Sequence, residues 1–315
     1  MPTNNGNRRQ SSRLKGKKVY YNDIGIEDDT NENKKEDEKN ESKTKKVYSS
    51  RPHYPMLAYD YKKKKEYIKF PCYVQPKLDG VRAVGVGKNF YCRNWIKFPE
   101  LDHIRDEMSK IETNIILDGE LYTDDINFES IVGLVRKGNK TSDEIEKTKK
   151  IYYNVFDCID KKLPFKERYE KLEQFFLENN LKYLKLVKTE YCKTESEIET
   201  FLDKYIKEGY EGVIIRNIKG KYEENTRSTE LQKLKRFVDE EFEIIGYQTP
   251  TIGKEVGCVI WECKTKEGKS FTVRPEGSYQ ERKKLYKEDK KNIGKLLTVR
   301  FQEYTKDNIP RFPVG

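Results

Sequence analysis

The stretch Tyr73–Val86, YVQPKLDGVRAVGV, decides how this chain is read. Two runs of β-favouring residues flank Asp79-Gly80, a dipeptide that favours tight turns. The pattern predicts a β-hairpin with strands at Cys72–Pro76 and Val81–Val86. A hairpin accounts for Asp79 and Gly80, but not for Lys77 before the turn or Arg82 after it. A lysine amine is a nucleophile only when neutral, and nearby cations with partial desolvation lower its pKa from ~10.4. The same cations would stabilise phosphates. The spacing K-x-D-G-x-R therefore reads either as a nucleophile and phosphate clamp on one hairpin, or as an ordinary charged surface turn. At average composition it arises by chance in a chain of this length with a probability under about 1%.

Composition narrows the class. The 315 residues are enough for two domains of ordinary size, and the net charge of +10 points to an anionic partner, nucleic acid being the commonest. A generally lysine-rich proteome gives the same bias. The hydrophobic fraction is only 35%, partly offset by 22 tyrosines and 14 phenylalanines that each bury a large area. The six cysteines form no C-x-x-C pair and the two histidines lie far from most of them, so neither a structural zinc site nor a disulfide framework is expected. No apolar run has the length of a signal peptide or a membrane span. A soluble, intracellular, monomeric protein without a membrane partner is the expectation.

The segment Glu27–Ser42, EDDTNENKKEDEKNES, lacks any hydrophobic residue and follows a basic stretch in Met1–Lys18. Residues 1–50 therefore read as a disordered charged tail, the basic part being either a DNA-contacting arm or localisation signal, or a solvated tail without a specific role. From Tyr54 onward, strand runs are expected at Ile115–Leu121, Ile151–Asp157, Leu184–Lys188 and Gly212–Arg216, with helices near Leu101–Ile111, at Pro164–Glu178 and from Thr194 to Gly209. The third helix opens on TESE, a capping-box sequence. This irregular mixture is α+β. After Phe237, the runs Phe242–Tyr247, Cys258–Cys263, Phe271–Val273 and Leu296–Phe301, with one helix at Tyr279–Lys287, suggest a small barrel such as an OB-fold, with a boundary near Val238.

Four later stretches carry chemistry of the same kind. ILDGELY (Ile116–Tyr122) points Asp118 and Glu120 to one side of a strand, and YYNVFDCI (Tyr152–Ile159) ends a strand on Phe156 and Asp157. YEGVIIRN (Tyr210–Asn217) starts a strand with Glu211. LQKLKRF (Leu231–Phe237) alternates Lys233 and Lys235 on one strand face, where both can grip a phosphate. Singly, each has a bland reading as a solvated acid, a surface lysine or a core aromatic.

In order, K-x-D-G-x-R, D-G-E-L, the aromatic strand, E-G-V-x-x-R and K-x-K resemble motifs I, III, IIIa, IV and V of the covalent nucleotidyltransferases. That superfamily comprises ATP-dependent DNA ligases, RNA ligases and mRNA capping enzymes. YCRNW (Tyr91–Trp95) is similar to the arginine-bearing strand between motifs I and III. Within the superfamily, Tyr210–Ile245 and IPRFPV (Ile309–Val314) resemble the minimal, Chlorella virus-like ATP-dependent DNA ligases of large DNA viruses. The resemblance implies a nucleotidyltransferase (adenylation) domain with antiparallel sheets over residues 51–238, followed by an OB-fold β-barrel over 239–315.

It also implies roles. Lys77 would attack ATP and carry AMP, in the sealing of 3′-OH/5′-phosphate nicks in duplex DNA. Gln75, Arg82 and Glu120 would hold the adenosine, Phe156 would stack on adenine, and Lys233 and Lys235 would neutralise the α-phosphate. Glu211 would bind magnesium, with manganese as the substitute ion, and Arg93 and Arg227 would contact nucleotide or nick phosphates. Two departures stand out. Only QTPTIGKEVG separates Tyr247 from Cys258, where the virus type carries a long DNA-encircling latch, so the basic tail or a partner is expected to supply affinity. After PRFPV the family continues with a further arginine and acid that orient pyrophosphate; with Arg311 remaining, the expectation is either weaker self-adenylation or a chain cut short after Gly315. The alternatives are an mRNA capping guanylyltransferase or RNA ligase of the same superfamily, and a nick-binding protein without catalysis. The compartment is left open between the nucleus and a viral replication site in the cytoplasm.

Overall fold

The structure, a computed structural model, describes residues 52–111, 113–288, 291–305 and 307–315. The charged tail expected over residues 1–50 lies outside the described residues. In chain order the elements are β1 (Leu57–Asp60), α1 (Tyr61–Lys64), β2 (Cys72–Lys77), β3 (Val81–Val86), β4 (Asn89–Tyr91), α2 (Asp102–Met108), β5 (Leu117–Tyr122), α3 (Phe128–Arg136), α4 (Ser142–Thr148), β6 (Tyr152–Cys158), α5 (Phe165–Glu178), β7 (Leu184–Leu186), β8 (Glu190–Cys192), α6 (Glu195–Lys207), β9 (Gly212–Asn217) and β10 (Arg227–Lys235). The C-terminal part adds β11 (Val238–Gln248), β12 (Ile260–Lys264), β13 (Ser270–Val273), α7 (Tyr279–Lys287) and β14 (Leu296–Phe301).

The expected hairpin is not one. β2 lies in a sheet of order β1-β10-β9-β2-β8, and β3 lies in a second sheet of order β4-β3-β5-β6-β7. Both edges of each strand are taken: β2 pairs with β8 and β9, and β3 with β4 and β5. Leu78–Gly80 is a crossover between sheets, and Lys77 and Arg82 both line the pocket beside it. β2 and β3 share a burial pattern in which four of six positions are buried, the mark of strands covered on both faces and not of a hairpin with a wet side. Gly80 serves close approach: a Cβ there would collide with the Leu121 carbonyl oxygen of β5.

Each sheet has its own core. α6 covers the first sheet, setting Ile198, Leu202 and Tyr205 against Val74, Val213 and Ile215. α2, α3 and α5 cover the second, with Ile104, Leu134 and Leu172 packed on Leu117, Tyr153 and Val155. α3 and α4 are absent from the expected elements. The run FESIVGLVR is β-branched and contains Gly133, which disguises it as non-helical, yet Ile131, Leu134 and Val135 fall on one helical face and are buried, and the Asn127 side chain caps the Ser130 N–H at 3.0 Å. The TESE capping box does not form. Thr194 is the N-cap, but Glu197 turns outward to accept the Lys193 N–H at 2.8 Å. Complete capping boxes occur instead at Thr141/Glu144 and Ser278/Glu281.

The C-terminal sheet has the order β13-β12-β11-β14 around Phe242, Trp261, Phe271, Val299 and Phe301. Val314 bridges Arg300 of β14 and Arg274 just beyond β13, so the last residues join the two edges of this sheet. The short segment between β11 and β12 is folded on itself, with the Gly257 N–H donated to Thr249 Oγ1 at 2.8 Å. Among the described residues no helix is long and apolar enough to cross a membrane.

Candidate active site

The cleft between the first two sheets gathers Lys77, Gln75, Arg82, Arg93, Glu120, Phe156, Glu211, Lys233 and Lys235 on one pocket wall or rim. Strand register explains the convergence. Lys77 is level with Gly212, and Gly212 with Lys235, so the end of β2, the start of β9 and the end of β10 meet. The Glu211 N–H, donated to the Lys77 carbonyl oxygen at 3.0 Å, locks that junction. Gly212 allows it, because a Cβ there would strike the Leu234 carbonyl oxygen. Alternation along β10 brings Lys233 to the same face as Lys235.

Glu211 is ion-paired through one oxygen to Lys77 Nζ and through the other to Lys235 Nζ. All three side chains are at most 15% exposed. Burial alone would push the Glu211 carboxyl up; the Lys77 and Lys235 ammonium groups outweigh it and hold the group well below the usual carboxylate range. Burial, then repulsion from Lys77, lowers Lys235. Two ammonium groups therefore share one carboxylate in a largely dry site, an arrangement that favours release of one proton.

The other end of the pocket is built for a flat, polar-edged group. Between β5 and β6 the register slips, so that Asp118 faces Asp157 and Gly119 faces Val155, leaving Phe156 as the extra residue of a bulge. Its ring lies 5.3 Å from the Arg82 guanidinium and 5.6 Å from that of Arg216. Arg82 is clamped by Asp118, with Nε–Oδ1 at 3.0 Å and Nη2–Oδ2 at 2.6 Å, and Tyr222 donates to the same carboxylate at 2.6 Å. Glu120 accepts the Gly80 N–H at 3.1 Å, bracing the crossover. Beneath lies Asp157, which takes two bonds from Arg168, at 2.8 and 3.0 Å, and one from Arg216 at 2.7 Å.

One sequence expectation needs correction. Arg93 lies in a turn after β4, closed by a Trp95 N–H bond to the Cys92 carbonyl oxygen at 2.8 Å, and not on a strand. Arg227 does not line the pocket; its Nη1 donates to the carbonyl oxygen of Ala58, a lining residue, at 2.7 Å. The C-terminal part supplies contacts that sequence reasoning missed. Gln302, its carboxamide oriented by its neighbours, donates to Glu211 Oε1 at 2.9 Å and accepts from Lys235 Nζ at 3.0 Å. Phe312 lines the pocket, and Arg311 forms a two-bond pair with Asp79 of the crossover, Nη2–Oδ1 at 2.9 Å. Arg216 was visible only as the last residue of E-G-V-x-x-R, and no local signal marks Gln302.

Among the described residues no group of three or more His, Cys, Asp or Glu side chains could hold a metal ion. Glu211 is thus not part of a preformed metal cage. It does suit the other arrangement, in which Mg2+ keeps its waters and is shared between one or two carboxylates and substrate phosphates.

Comparison with known proteins accords with this site. Residues 55–235 match the family model of the ATP dependent DNA ligase domain, and residues 255–315 that of the DNA ligase OB-like domain. A DNA ligase of African swine fever virus (isolate Tick/South Africa/Pretoriuskop Pr4/1996) is 33% identical over 261 residues, which span 75% of this chain and 61% of the viral protein. A structure described as "DNA binding with a minimal scaffold: Structure-function analysis of Lig E DNA ligases" has the same fold, with a TM-score of 0.72 at 23% identity, covering 83% of this chain and 97% of that one. A Chlorella virus DNA ligase-adenylate gives a TM-score of 0.50 at 23% identity, covering 83% and 96%. The chain spans 61% of the length of the first of these relatives.

Proposed function

Because the chain belongs to the family of the ATP dependent DNA ligase domain, we propose that it is an ATP-dependent DNA ligase that seals 3′-OH/5′-phosphate nicks through a lysyl-AMP on Lys77. What supports the reading above all is the cluster of Lys77, Glu211 and Lys235 at one end of a pocket whose other end offers Phe156 and Gln75. That geometry suits a nucleotide lying with its base by the ring and its α-phosphate by the lysines. Lys77, once neutral, attacks the α-phosphorus; the bond to the bridging oxygen breaks and pyrophosphate leaves. The nick 5′-phosphate then displaces Lys77 to give a DNA-adenylate, and the 3′-hydroxyl displaces AMP.

Each residue has a task within that sequence. Glu211 holds the Lys77 amine in place through its ion pair and shares that carboxylate with Lys235. Lys233 and Lys235 bear on the α-phosphate, Phe156 stacks on adenine, and Gln75, Arg82 and Glu120 hold the nucleoside, with Glu120 on the ribose. Arg93, on the exposed turn, and Arg227, bonded to the β1 backbone, meet nucleotide or nick phosphates. A divalent cation held by Glu211 and the phosphates, magnesium or manganese, would neutralise charge on the leaving pyrophosphate. The division at 51–238 and 239–315 is supported by separate cores on either side of Val238. Incubation with α-labelled ATP tests the reading: a covalent adduct and closure of a nicked duplex are expected, both lost in Lys77→Ala. An adduct that persists in that variant, or one that forms only from GTP, overturns it.

A further inference from the structure

We propose that Arg216 is a positioning residue that fixes the Gln75 carboxamide in one orientation and so makes the pocket select adenine over guanine. The inference deepens the proposed function and rests on its placing of a nucleotide in this pocket. Gln75 lies two residues before Lys77 on β2, on the same strand face and about 6.6 Å away, so both can meet one bound nucleotide.

The hydrogen bonds of Gln75 fix its polarity. Its Nε2 donates to the Phe156 carbonyl oxygen at 3.1 Å and to Thr189 Oγ1 at 2.8 Å, using both amide hydrogens. Its Oε1 accepts from Arg216 Nε at 2.7 Å. What is left for a ligand is the second lone pair of Oε1, an acceptor. Adenine presents an amino donor at position 6, and guanine presents an oxygen acceptor there. The fixed amide thus pairs with one base and repels the other. Flipping it would set two donors together at Arg216 and two acceptors together at Phe156.

Arg216 is itself held fast. It is buried, donates from Nη1 to Asp157 Oδ2 at 2.7 Å, and lies 4.5 Å from the Phe165 ring. Arg168 fixes the same Asp157 through two bonds. A guanidinium pinned on both sides cannot follow a flipped amide, so the selection is rigid.

The test uses the full chain with α-labelled ATP or GTP, reading the covalent adduct and the KM of each nucleotide. Arg216→Lys removes the donor to Oε1 while keeping a cation for Asp157. Thr189→Val frees one amide hydrogen without burying a charge. Arg216→Lys is expected to lower the ATP-to-GTP ratio by about 10- to 100-fold, the worth of one buried charged hydrogen bond, and Thr189→Val by about 2- to 10-fold, the worth of a neutral one, with the change in KM and not in kcat. Unchanged ratios in folded variants, or equal loss with both nucleotides, overturn the inference. Should Arg216→Lys not fold, Thr189→Val decides alone. A wild-type chain that forms no adduct fails the proposed reaction; base selection is then read from thermal stabilisation by ATP against GTP, which needs no catalysis.

Discussion

The pair between Arg311 and Asp79 couples the C-terminal sheet to the turn that follows Lys77, and its strength can be worked out. Arg311 is 8% exposed and Asp79 28%, so neither end is well solvated. A two-bond guanidinium–carboxylate contact of this kind contributes about 1.5–3 kcal/mol. Glu303, 59% exposed, competes for the same guanidinium and would retain part of it when Asp79 is removed. The expected coupling is therefore at the low end, about 1.5 kcal/mol, or roughly tenfold in a rate that depends on the contact. The same contact brings Gln302 and Phe312 to the pocket, so formation of the Lys77 adduct should depend on it. A double-mutant cycle of Asp79→Ala and Arg311→Met, read in single-turnover adduct formation, measures the coupling; methionine keeps an apolar stem against Phe128 and Phe312, whose rings lie 4.7 and 4.9 Å from the guanidinium. An interaction energy within about 0.3 kcal/mol of zero would refute the reasoning.

Other expectations follow from single contacts. Gly80→Ala should cost about 2–3 kcal/mol, because the added Cβ meets backbone and not a mobile side chain; a wild-type melting temperature would show that the crossover yields. Glu211→Gln should destabilise by about 3–5 kcal/mol and abolish the adduct, since it leaves two buried ammonium groups without their anion; denaturant midpoints and labelled ATP measure both. His103 is held below its ordinary value by burial, with the Ile151 carbonyl bond at 2.9 Å opposing. The unfolded chain therefore takes up the proton first, and stability falls as pH drops below about 6.5 until the folded value is passed. His103→Gln should flatten that acid limb in melts between pH 5 and 7.5; an unchanged slope would assign the limb elsewhere.

Local signals made most strands legible but not their partners. Val81–Val86 and Leu296–Phe301 have the boundaries expected from composition, and the helix at Tyr279–Lys287 does as well. Asp79-Gly80 misled, because a turn dipeptide specifies a reversal and says nothing about which strand completes each edge. Burial of β2 and β3 on both faces, which only the structure shows, is what excludes the hairpin. The pocket was legible where strand alternation alone sets a direction, as for Lys233 and Lys235. It was not legible where the partner is remote: Arg216 meets Asp157 59 residues away and Gln75 141 away, and Arg311 meets Asp79 across 232. Such pairings come from sheet order, which no short window contains.

Charge at the lysine end ties these contacts to the proposed reaction. The two oxygens of Glu211 are taken by Lys77 and Lys235, with Gln302 sharing one of them, and Lys233 lines the same pocket. Without a ligand two ammonium groups share one carboxylate in a largely buried site, and polyanionic phosphates offer them further acceptors. Phosphate oxygens compete for the lysines and so loosen their hold on Glu211. Only then would the carboxylate be free to share a divalent cation with those phosphates. Nucleotide and metal should therefore bind with mutual reinforcement, each tightening the other by the same factor, because the coupling is a property of the pair of sites and not of the order of addition. The magnesium dependence of ATP affinity, measured in Lys77→Ala to remove turnover, would reveal that reciprocity, and independent affinities would sink it.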